Sequence, residues 1–93
     1  MDFRRTLEMS VSREEFFRFL PTGEMAFHVD GELVSWSEGG RRRTIRLRPL
    51  ADRRLGSVAL PRHRVEIVLE AGSEAEAAAF MERFHRAFLR GGG

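Results

Sequence analysis

The stretch TIRLRPLADRRLGSVALPRHRVEIVLE, running from Thr44 to Glu70, decides the fold. Thr44, Arg46 and Arg48 alternate with Ile45 and Leu47, the period of a strand with one buried face. Pro49-Leu50-Ala51-Asp52 reads as a turn, with proline at a position that turns permit. Arg54 to Leu60 then returns as a strand weakened by Gly56, and Pro61 ends it or forces a bulge. Arg64 to Glu70 alternates most cleanly, with Val65, Ile67 and Leu69 on one face and Arg64, Glu66, Val68 and Glu70 on the other. Three short strands joined by tight turns predict an antiparallel meander, whose apolar face needs a cover.

Working upstream, Glu38-Gly39-Gly40 marks a reversal before this stretch. Asp30-Gly31 predicts a type I′ hairpin between a strand bearing Met25, Phe27 and Val29 and a strand over residues 32–38. Phe3, Leu7, Met9 and Val11 share one parity of a first strand over residues 2–11, with Arg5 as the misfit. Ser12-Arg13-Glu14-Glu15 is a capping box. It opens a helix of about two turns that carries Phe16, Phe17, Phe19 and Leu20 until Pro21 stops it.

Downstream, Gly72 breaks the chain. Ser73 with Glu76 predicts a second capping box, and Ala77, Phe80, Met81, Phe84 and Phe88 then form one helical stripe. Arg90 suits the negative end of that helix and Gly91 suits its cap. Seven phenylalanines, Phe3, Phe16, Phe17, Phe27, Phe80, Phe84 and Phe88, fall at inward positions.

The expectation is an α+β fold: strand, helix, four or five antiparallel strands, helix. One twisted sheet is covered on one face by two helices, in a single domain over residues 1–90 with a flexible glycine tail at 91–93. In this element order the whole chain resembles the TATA-box-binding-protein-like and helix-grip architectures. The resemblance implies the fold alone and carries no site residue.

The 93 residues include no cysteine, which removes disulfides, thiolate metal sites and cysteine nucleophiles, and points to the cytoplasm. No apolar run reaches the ~20 residues of a membrane span, and the N-terminal charges are not followed by a signal-peptide core. The isoelectric point of about 10.8 overstates the basic character, because the net charge is only +2. All 16 basic residues are arginine, with no lysine or tyrosine to titrate between neutrality and pH ~12.

The chemistry that remains lies in the arginines. In the predicted meander, the turns at Arg41–Arg43 and at Pro61–His63 emerge at the same end, and the last helix runs back toward it. Arg41, Arg42, Arg43, Arg62, His63, Arg64 and Arg90 would then form a rim for an acidic protein or an anionic small ligand, through forked guanidinium contacts. The rim requires Arg43 and Arg62 to lie within about 20 Å of each other. The plain alternative is a set of solvated loop tips.

The polar face of the sheet, bearing Glu8, His28, Arg46, Arg48, Arg64 and Glu66, offers no aromatics for base stacking unless Trp36 faces out. His28, His63 and His85 lack metal-ligand spacing, and no serine sits in a nucleophile elbow. The reading is therefore a small interaction or ligand-binding module with no cofactor and no metal. A nucleic-acid-associated accessory protein is the alternative, and a minimal enzyme is the third class. A homodimer through an edge strand or a helix flank is compatible with each.

Overall fold

The alternation that begins at Thr44 does not stop at Pro49. In the computed structural model, which describes residues 2–20, 27–70 and 72–90, one strand runs through the expected turn. The elements are β1 (Asp2–Met9), α1 (Arg13–Phe19), β2 (His28–Asp30), β3 (Leu33–Glu38), β4 (Arg41–Leu55), β5 (Val58–Glu70) and α2 (Glu74–Arg90). Met25, the stop at Pro21, the Gly91 cap and the tail at 91–93 lie outside the described residues, as does the side chain of Arg90.

All strand pairs are antiparallel, in the order β1-β5-β4-β3-β2. The fold is thus α+β, with four strands between the two helices.

Two prolines misdirect the meander reading, and the backbone explains both. Successive N–H groups of a strand point to opposite sides. The Leu47 N–H donates toward β3, to the Glu32 carbonyl at 2.7 Å, and β3 pairs no further than Arg46. The nitrogen of Pro49 faces that same side where nothing is left to pair, so its missing N–H removes no ladder bond. Pro61 lies in β5 across from a bulge, where the register slips between Leu50 and Arg53.

The true reversal is at Gly56-Ser57. Leu55 pairs with Val58 across a two-residue loop, and Gly56 takes φ +61° while Ser57 does not go positive. That is the pattern of a type II′ turn, which asks for glycine at its first central position. The Gly31-Glu32 turn has the same form rather than type I′, because only its glycine has positive φ.

The helices lie on the face of Val34, Ile45, Leu47, Val65, Ile67 and Leu69. Phe16 of α1 and Phe80, Phe84 and Phe88 of α2 fill the space between, with Phe16 and Phe88 centroids 5.3 Å apart. Among the described residues, the space between sheet and helices is packed with rings. Phe27 corrects the inward assignment, being 38% exposed and stacked on Phe17 at 5.9 Å. The Ser12 capping box forms on both sides. At α2 the Ser73 hydroxyl accepts from Glu76 N–H at 3.2 Å, but the Glu76 carboxylate takes the Gly72 N–H instead of completing a box.

Candidate functional site

The same register that lengthens β4 and β5 takes the expected rim apart. Arg43 stands opposite Leu69, and Arg62 opposite Leu50. Seven residues of strand separate the two rungs, about 23 Å at 3.3 Å per residue. Arg41, Arg42 and Arg43 occupy one end of the sheet, and Arg62, His63 and Arg64 lie toward the other.

The last helix also runs opposite to the expectation. Arg41 meets Glu76 at 3.9 Å, so α2 starts at the Arg41 end and carries Arg86 and Arg90 away from it.

Arg43 is not a surface group. It shares the parity of Ile45 and Leu47, and is 6% exposed. Its guanidinium donates to the Glu70 carbonyl, lies 5.8 Å from the Phe80 ring, and comes within 3.7 Å of the Glu38 carboxylate. Glu38 is gripped on its other side by Arg83, at 3.1 and 2.9 Å. The Arg83 hydrogen bonds hold the Glu38 carboxyl below its usual pKa, against the opposing effect of partial burial, and the Glu38 bond raises Arg83. This cluster ties β3, β4 and α2 together, with one carboxylate shared between two guanidinium groups.

His63 is structural in the same sense: its Nδ1 lies 2.8 Å from the Val11 carbonyl and ties β5 to the corner between β1 and α1.

The far part of the β4–β5 hairpin stands apart from this packing. β1 pairs with β5 no further than His63, and β3 leaves β4 at Arg46. Beyond those rungs the hairpin continues alone as a two-stranded arm, and residues 51–59 are all exposed. The molecule is accordingly elongated, 46 × 25 × 23 Å.

Charge is concentrated on the arm together with its root. Residues 48–64 hold five arginines, Arg48, Arg53, Arg54, Arg62 and Arg64, against one aspartate, Asp52. That surplus of four exceeds the chain's whole charge of +2, so the other residues together are net negative by two. Toward the root, Arg48 pairs with Glu66 at 2.9 Å, and Arg62 and Arg64 share Glu8 at 4.0 Å each. Toward the tip, Arg53 and Arg54 have no carboxylate partner among the described residues.

The register also sorts the faces of the arm. Leu50 opposite Arg62, Arg53 opposite Leu60 and Leu55 opposite Val58 share the face that continues the helix-free side of the sheet. Arg54 and Ala59 take the other face. Leu55 and Val58 are each 53% exposed. Trp36 is buried on the helix side, so the helix-free side shows no aromatic among the described residues.

A second feature is the groove of about 450 Å³ between β1 and α2, lined by Phe3, Arg5, Met81, Glu82 and His85 among others. It is open, and Glu82 is already bonded to Arg86 at 2.5 Å. No group of three or more metal-ligating side chains occurs among the described residues, and no described helix is long and apolar enough to cross a membrane.

The Gly-X reversal at 56–57, flanked by Leu55 and Val58, was the sequence signal for the arm. The parity shared by Arg43, Ile45 and Leu47 was the signal for a buried arginine. No family model matches this chain, and no curated protein or solved structure is significantly similar to it.

Proposed function

We propose that this chain is a small cytoplasmic interaction module that takes an acidic partner through the arginines of its β4–β5 arm. The observation that carries the reading is the charge division: a surplus of four positive charges on the arm and its root, residues 48–64, and a net negative remainder. Forked guanidinium groups match carboxylate and phosphate oxygens in pairs, and an exposed ribbon presents them without a conformational change. The packed interior favours surface recognition over ligand enclosure. The absence of cysteine supports the compartment. We assign the chain no catalytic role and no cofactor.

Titration with poly-L-glutamate tests the reading. The Arg53→Ala/Arg54→Ala variant is expected to bind about five- to thirtyfold more weakly, the effect of two exposed ion pairs of roughly 0.5–1 kcal/mol each. An Arg41→Ala/Arg42→Ala variant is expected to bind nearly as the native chain does. A greater loss in the Arg41→Ala/Arg42→Ala variant would return the binding site to the opposite end of the sheet, and equal loss in both would overturn the arm as the binding element.

A nucleic-acid accessory role is the second reading, favoured by the shape of the arm. A two-stranded ribbon is what the ~12 Å major groove of duplex DNA admits. Binding there would weaken with salt at a slope of about −0.9 per phosphate neutralised. An absence of duplex binding at ~50 mM salt discards it.

A further inference from the structure

The exposed large hydrophobics of the described residues fall into two pairs. Leu55 and Val58 stand at the arm tip, and Phe27 and Val29, 38% and 40% exposed, stand at the β2 edge. β2 is a three-residue strand at the edge of the sheet, with no strand of the described residues on its outer side. Each pair has charges beside it, and they are of opposite sign. Arg53 and Arg54 flank the tip, while Asp30 and Glu32 flank the β2 edge. Neither acidic residue has an ion-pair partner among the described residues, although Arg13 reaches the same turn and bonds the Gly31 carbonyl at 2.9 Å.

One chain cannot join its own two surfaces. Val29 is aligned through Val34 with Ile45, and Ile45 to Leu55 is ten residues along β4. At 3.3 Å per residue the tip stands about 30 Å beyond the patch. A two-stranded ribbon is also marginal in water unless something covers it.

We propose that the acidic partner of the arm is a second copy of this chain, with the tip of each copy seated on the β2 edge of the other. The proposal rests on the arm being the binding element and names what it binds. A two-fold arrangement makes both contacts at once and closes the assembly at a dimer. Leu55 and Val58 cover Phe27 and Val29, and Arg53 and Arg54 meet Asp30 and Glu32.

Sedimentation velocity over micromolar to submillimolar concentrations tests this, with folding of each variant checked by circular dichroism. The native chain is expected at twice its 10.7 kDa mass. Leu55→Ser/Val58→Ser is expected to sediment as a monomer while still binding poly-L-glutamate. Arg53→Glu/Arg54→Glu alone and Asp30→Arg/Glu32→Arg alone are each expected to be monomeric, and their equimolar mixture to recover the dimer, because both contacts are then complementary. A native monomer throughout the range, or a dimer unaffected by the tip and charge variants, would overturn the proposal. Retained loss of poly-L-glutamate binding in Arg53→Ala/Arg54→Ala would in that case leave the arm as the binding element with a different acidic partner.

Discussion

Glu38 accepts both terminal nitrogens of Arg83, at 3.1 and 2.9 Å, while its second neighbour Arg43 lies buried at 3.7 Å. The carboxylate therefore joins the end of β3 to the middle of α2 and neutralises an arginine that has little water around it. Removing the carboxylate leaves the Arg43 charge uncompensated. Glu38→Gln is expected to lower stability by about 2 kcal/mol, measured by urea unfolding at neutral pH.

The same pair sets a pH dependence. The folded-state pKa of Glu38 is lowered, chiefly by the Arg83 hydrogen bonds. Its stabilisation is thus fully present above the ordinary carboxylate value of 4.5 and is lost as pH falls through the lower folded value. Between pH 5 and 3 the native chain should lose more stability than Glu38→Gln does. Parallel curves for the two would show that the pair contributes nothing to acid sensitivity.

The aromatic interior divides unevenly. Phe84 is fully buried and lies 4.7 Å from Phe88 and 6.3 Å from Phe80, so Phe84→Ala is expected to cost about 3–5 kcal/mol. Phe27 is 38% exposed and stacks on Phe17, itself only partly buried, and Phe27→Ala is expected to cost about 1 kcal/mol or less. Denaturant midpoints rank the two.

Hydrogen exchange should separate the arm from the sheet. The amides of residues 51–59 have one neighbouring strand and no packed side, whereas β4 from Arg43 to Leu47 lies between β3 and β5 under the helices. Protection in the arm is expected to be at least about a hundredfold lower. Docking of the tip on a partner should raise it as concentration rises.

The body of the fold was legible because binary patterning and capping chemistry agreed there. Val65, Ile67 and Leu69, the stripe from Ala77 to Phe88 and the Ser12 box all read correctly from spacing alone. The arm was not legible because proline is a strong local turn signal, and its tolerance at Pro49 depends on where β3 happens to end. That is a tertiary fact. The bulge between Leu50 and Arg53 then flips the parity of β4, so the alternation that should have linked Thr44 to Leu55 is broken in the sequence. The candidate site inherited the error: a false turn at Pro49 folded the Arg62 segment back beside Arg41, and only the ladder register separates them.

Amide chemical-shift mapping during a poly-L-glutamate titration locates the surface that takes an acidic partner. Perturbations centred on Arg53 and Arg54 within residues 50–62, accompanied only by those of residues 27–32 that a displaced tip uncovers, are expected. Perturbations centred on Arg41, Arg42 and the start of α2, or none anywhere at saturating polyanion, would exclude the arm as the binding element.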